Sequence, residues 1–161
     1  MEKEELARSI ESARVSMLRL ALSITRRGSD AEDAVSAAIV AAFEKRLSLR
    51  NVERVKPWLL TITARKAQDV LRGRSRVTPM ENLPEEPIFR EDLTRTVFGA
   101  IRELSPSYRE ILTLYYYDGY DAGEIASILR MSRTTVFMRL SRGRKQLKAA
   151  LEEGEAGYES I

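Results

Sequence analysis

Neither cysteine nor histidine occurs among the 161 residues, and there is a single tryptophan. The first absence rules out disulfides and thiol nucleophiles, the second removes every triad with an imidazole base, and together they eliminate most zinc sites. A cysteine-free chain suits a reducing cytoplasm, which is the expected location. No apolar run approaches the ~18 residues that a membrane span needs, and the opening MEKEELARSI is charged. A soluble chain is expected, with no direct membrane insertion, no cofactor and no metal. Internal repeats and low-complexity tracts are also missing.

Charge is plentiful but uneven. Residues 1–76 carry 16 basic and 10 acidic side chains, and 93–161 carry 10 and 9. Between them, residues 77–92 hold Arg90 alone against Glu81, Glu85, Glu86, Glu91 and Asp92. The same stretch contains Pro79, Pro84 and Pro87, each lacking an amide donor and turning its predecessor away from helix. The expected organisation is therefore two domains, 1–76 and 93–152, an acidic proline-containing linker over 77–92, and a solvated tail over 153–161.

Both flanking segments have helical periodicity. Leu6, Ile10, Ala13, Met17, Leu20 and Ile24 recur at steps of three and four, the spacing that lines one face of a helix. A second helix is expected at SDAE, with Ser29 as cap and Glu32 completing a capping box, running through Val35, Ile39, Ala42 and Phe43. A third should follow Pro57, with Leu60, Ala64, Ala67 and Leu71 on its apolar side. No segment alternates as a strand would, so the fold class is all-α, two small helical bundles.

The second bundle is clearly punctuated. Ser105 and Pro106 can open a helix that Asp118 and Gly119 close. Asp121 with Glu124 can cap a short helix, and Ser132 the next one. Two short helices joined this closely match the helix-turn-helix plan, whose second helix lies in a DNA major groove.

The turn and that second helix hold Arg130, Arg133, Arg139, Arg142, Arg144, Lys145 and Lys148 within 19 residues that lack any acid. Val136, Leu140, Gly143 and Leu147 form one apolar stripe. At roughly 100° per residue, Thr134, Met138, Ser141, Arg142 and Lys145 project opposite it, with Arg133, Thr135 and Arg139 on the flanks. Cations meet phosphates, arginine reads base edges bidentately, and an apolar tip suits a thymine methyl.

The stretch from Ala100 to Leu151 resembles the C-terminal, −35-reading domain of extracytoplasmic-function RNA polymerase sigma factors. The resemblance is carried in order by L-x-x-x-x-R-E-I-L, E-I-A-x-x-L and T-V-x-x-R-L-x-R-G-R-x-x-L. SDAEDAV and VKPWLLTITARKAQDVLR resemble the family's region 2. The resemblance implies a protein without covalent chemistry of its own, which binds core RNA polymerase, directs it to promoter DNA and helps open the −10 element. An anti-sigma factor is a further implied partner.

Residue by residue, it assigns −35 reading to Phe137, Met138, Ser141 and Arg142, with Arg133 and Arg139 beside phosphates and Thr134 and Lys145 on the same DNA face. The −10 role falls on Arg54, Lys56, Trp58, Arg65, Lys66 and Arg72, with Arg74 and Arg76 adding positive charge. Trp58 has two readings, stacking on an unpaired base and packing as an anchor, of which packing is favoured. Asp69 reads as an intrahelical partner of Arg65 or Arg72. Polymerase contact falls on Glu32, Asp33, Ser36 and Ala37, where Ala34, Ala37, Ala38 and Ala41 offer either a low-relief docking side or packing within the bundle.

The sequence departs from the family pattern at Ser36 and Ala37, which replace a Gln-acid pair, at Ile39 in place of an aromatic, and at Lys66 in place of an asparagine. At Arg130 the usual turn residue is glycine, and a left-handed residue there costs a side chain ~1–2 kcal/mol. Two other classes stay open: a helix-turn-helix regulator that never acts as a sigma factor, and an enzyme acting on nucleic acid. Against the enzyme, Asp30, Glu32 and Asp33 are acids of the kind expected at any helix start.

Overall fold

The computed structural model describes the backbone of residues 1–77 and 97–159, and the side chains of 1–74 and 97–153. Contacts divide the chain into two units, Met1–Ile88 and Phe89–Ile161. Every regular element among the described residues is helical, in agreement with the all-α expectation. Residues 78–92 of the acidic spacer lie outside the described residues, as does the side chain of Arg76.

The first unit is a three-helix bundle of α1 (Lys3–Thr25), α2 (Gly28–Glu44) and α3 (Val55–Val77), each packed on the other two. Two single 3₁₀ turns, Arg46–Ser48 and Val52–Arg54, join α2 to α3. The periodic residues of α1 all face the core: Leu6, Met17 and Leu20 are fully buried, and Ile10, Ala13 and Ile24 nearly so. Each fully buried leucine contributes ~1.5–3 kcal/mol relative to exposure, so this stripe fixes how α1 is rotated.

Three expectations change here. Helix α2 opens at Gly28, with Arg27 as its cap residue and no side-chain cap bond, so Ser29 lies inside the helix and the expected capping box is absent. Helix α3 opens at Val55, two residues before Pro57, which still sits in the first turn where no amide partner is required. On α2 the inward line is Ala31, Ala34, Val35, Ala38, Ala41 and Ala42, whereas Ile39 and Phe43 are only half-buried. The alanines Ala34, Ala38 and Ala41 therefore let α2 approach its own neighbours closely and offer no external docking side; Ala37 alone of that group stays half-exposed.

The second unit consists of α4 (Val97–Arg102), α5 (Pro106–Tyr116), α6 (Ala122–Leu129) and α7 (Arg133–Glu159). Phe98, Ile101, Ile111, Leu112, Leu114, Ile125, Ile128, Val136 and Leu147 form its core. Arg109 is buried at its centre and donates to the Leu104 carbonyl at 3.1 Å, so its charge serves to close the α4 to α5 turn. Helix α7 continues to Glu159, through the segment expected to be a solvated tail. Once a helix is nucleated each added residue gains a hydrogen bond, and α7 runs on past Gly154 and Gly157.

Candidate nucleic-acid interface

Helix α6 starts with a complete capping box. Glu124 N–H donates to Asp121 Oδ1 at 2.8 Å, and Asp121 N–H donates to Glu124 Oε2 at 2.9 Å. It ends at Arg130, whose backbone is left-handed at φ 55 and ψ 48. The turn is not rebuilt to spare a non-glycine residue this conformation. Met131 N–H reaches back to the Ala126 carbonyl at 3.0 Å, and Ser132 Oγ accepts the Thr135 N–H at 3.1 Å to cap α7. Both ends of the three-residue connection are thus held by hydrogen bonds, which sets α7 firmly against α6.

Burial then orients α7. Val136, Leu140, Gly143 and Leu147 all point inward, as their spacing requires. Gly143 lets α7 lie close to α5: a Cβ there would stand 3.1 Å from Leu112 Cδ1 and 3.3 Å from Tyr108 Cβ. Opposite, Thr134, Met138, Ser141, Arg142 and Lys145 are exposed together, and Arg133 is exposed at the start of the helix. Phe137 is 68% exposed, so it does not serve as core packing.

Two cations on the flanks have protein neighbours. Arg139 is half-buried and its charge acts on Glu110, whose carboxyl burial pushes above its ordinary value while Arg139 and Arg109 pull it down. Arg133 lies flat against α6, its guanidinium where a side chain on Gly123 would have to go, 2.7 Å from that Cβ position.

Arg144 is a cation that sequence reasoning left out of the site. Its guanidinium sits 5.3 Å from the Tyr115 ring centroid, and the neighbouring Tyr116 and Tyr115 favour its charged form. Tyr115 and Tyr116 meet edge to face at 5.0 Å. Tyr117 packs edge to face on Phe98 at 5.7 Å, while Tyr115 lies under Arg144. The juxtaposition spans 29 residues of sequence, and no local pattern signals it.

In the first unit, Trp58, Arg65, Asp69 and Arg72 fall along one line of α3 by helical periodicity. Arg65 and Arg72 are exposed, Trp58 half-buried, and Lys66 half-buried on the adjoining face. Arg54 is exposed in the preceding turn and Lys56 half-buried. Asp69 pairs with Arg72, the intrahelical role expected of it. On α2, Glu32, Asp33 and Ser36 are exposed along the outer face with Val40, which is 58% exposed. Asp30, two residues before Glu32, faces inward instead: it is 1% exposed and accepts Arg74 Nε at 2.7 Å, with Arg27 Nε at 3.6 Å.

Among the described residues, no group of acids is arranged to hold a metal, and no helix is long and apolar enough to cross a membrane. A helix-turn-helix with an acid-free outer face is the architecture of a DNA-binding protein, here with a second helical bundle. Comparison with known families specifies it. Residues 10–77 match the sigma-70 region 2 model and residues 95–147 the sigma-70 region 4 model. The chain is 31% identical to the RNA polymerase sigma factor SigV of Bacillus subtilis (strain 168), over 83% of this chain and 82% of that one. It is 29% identical to the RNA polymerase sigma factor CarQ of Myxococcus xanthus, over 82% and 80%. Its fold matches that of the sigma factor RpoE of Bartonella quintana, solved with the anti-sigma factor NepR, with a TM-score of 0.77, 23% identity and coverage of 91% and 96%. The chain belongs to the sigma-70 family, in its extracytoplasmic-function group, and directs transcription initiation. The reading as a regulator with a helix-turn-helix alone is not favoured, because the region 2 match covers the other bundle.

Proposed function

We propose that the second unit reads the −35 element and the first unit binds core RNA polymerase and the −10 strand. The observation that carries this reading is the acid-free outer face of α7 from Arg133 to Lys148, held in place by a tightly bonded turn. In this division Ser141, Arg142 and Met138 face bases, Arg133, Thr134, Arg139 and Lys145 face phosphates, and Phe137 stands at the edge of the face. Arg54, Lys56, Trp58, Arg65, Lys66 and Arg72 follow the separated −10 strand, with Trp58 half-buried at the start of α3. Glu32, Asp33, Ser36 and Ala37 meet polymerase through the outer face of α2, joined there by the exposed Val40.

The domain boundaries follow from this: region 2 function in 1–76, a linker over 77–92, region 4 function in 93–152, and residues 153–161 outside both roles. The protein works in the cytoplasm and performs no catalysis itself. An anti-sigma protein is a regulatory partner, supported by the fold's likeness to a sigma factor solved with one. Size-exclusion chromatography of the chain with sigma-free core polymerase tests the central division. Co-elution of native chain, weakened by Asp33→Arg but not by Arg142→Ala, is expected. Independent elution of the native chain would leave it a DNA-binding regulator.

A further inference from the structure

We propose that Met138 reads the 5-methyl group of a thymine in the −35 element, and that Phe137, its neighbour in sequence, does not. This rests on the −35 role given to α7 above.

The outward face of α7 between Thr134 and Lys145 is formed by Thr134, Met138, Ser141, Arg142 and Lys145. Four of these end in hydroxyls or cations. Met138 is the exception, a large apolar side chain 45% exposed, with Thr134 one turn before it and Ser141 and Arg142 one turn after. In the major groove the base edges present donors and acceptors, and the one apolar group that projects from them is the thymine methyl. A thioether pressed on the amino group of cytosine or adenine would strip it of water and return only a weak acceptor, which costs more than it gains. Against a thymine methyl it buries apolar surface on both partners. The chemistry of this one position therefore selects thymine.

Phe137 is more exposed, at 68%, yet points elsewhere. It lies about 100° round the helix from Met138, in a groove that Met138 also borders beside Tyr115 and Gly123, and that continues past Phe137, but not Met138, to Tyr116 and Leu151. Its neighbours are protein side chains at the edge of the reading face. The two residues share the Tyr115 side of that groove, but Met138 alone lies in line with Thr134, Ser141 and Arg142 on the outward face.

Replacing thymine by deoxyuridine removes the methyl and leaves the hydrogen-bonding edge intact, so it isolates the contact. Holoenzyme assembled from core polymerase and this chain is tested on duplexes of a mapped promoter, each −35 thymine on either strand replaced in turn. Loss of one buried methyl is worth about fourfold in affinity. The expected result is one position with a ~3- to 5-fold loss for native chain and for Phe137→Ala, retained by Met138→Leu and abolished by Met138→Gln. Because Met138 is exposed, both of its variants leave the core intact, which circular dichroism verifies. A flat scan on a promoter whose binding depends on its −35 sequence would overturn the methyl contact alone. An effect that survives Met138→Gln, or vanishes in Phe137→Ala, would overturn the assignment to Met138. Binding indifferent to the −35 sequence would overturn the reading role of α7, and this inference with it.

Discussion

The carboxylate of Asp30, in the first turn of α2, is 1% exposed and accepts the guanidinium of Arg74, near the end of α3, at 2.7 Å. The two residues are 44 apart in sequence. The bond ties the start of the helix proposed to meet polymerase to the end of the helix proposed to follow the −10 strand. It also withdraws Arg74 from the cations available to DNA.

Removing either partner should have unequal cost. Arg74→Met leaves the buried carboxylate with Arg27 alone, at 3.6 Å, and should cost somewhat less than the ~3–5 kcal/mol of a buried charge with no partner. Asp30→Asn leaves a guanidinium that is 35% exposed and can turn to water, so ~1–2 kcal/mol is expected. Urea unfolding read by the fluorescence of Trp58, the chain's one tryptophan, reports the first unit selectively. Equal costs would show that the pair is not the buried clamp described.

Arg130 carries a left-handed backbone at the α6 to α7 turn. Arg130→Gly should remove ~1–2 kcal/mol of steric cost and add ~0.5–1 of chain entropy, a net gain of about 0.5–1 kcal/mol. All six tyrosines lie in the second unit, so their fluorescence follows its unfolding. A loss of stability would mean that the arginine side chain stabilises the turn by more than its backbone costs.

Glu110 gives the second unit a pH dependence. Burial raises its carboxyl above the ordinary 4.5, so the folded state keeps a proton that the unfolded chain releases. The stabilisation from this group is fully present below about pH 4.5 and is lost as pH rises through the raised value. Glu110→Gln should therefore gain stability relative to native chain between pH 4 and pH 7. The opposite trend in paired unfolding curves would show that Arg139 and Arg109 outweigh burial.

Arg142→Ala should lower −35 selectivity by ~1–3 kcal/mol if the guanidinium is bidentate to a base. Holoenzyme binding to native and scrambled −35 duplexes measures it. An equal loss on both, with a salt slope smaller by about 0.9, would make Arg142 a phosphate contact instead.

Local chemistry was legible in the sequence where it acts alone. Asp121 and Glu124 form the capping box their spacing implies, and the stripe from Val136 to Leu147 faces inward as its period requires. Ser29 and Glu32 present an equivalent spacing, yet the helix starts at Gly28, where Asp30 turns inward to Arg74, a partner that local sequence does not reveal. Alanines on α2 announced close approach but not its partner, which is the chain's own α1 and α3. Arg144 went unassigned for the same reason, since the tyrosines that hold it belong to another helix.

Mapping the 5′ ends of transcripts made from genomic DNA by core polymerase with and without this chain tests the account most directly. New discrete starts should appear, sharing −35 and −10 elements upstream, and Arg142→Ala should blur the first element while leaving the second. Polymerase that gains no new starts, with a chain that still binds duplex DNA, would contradict it.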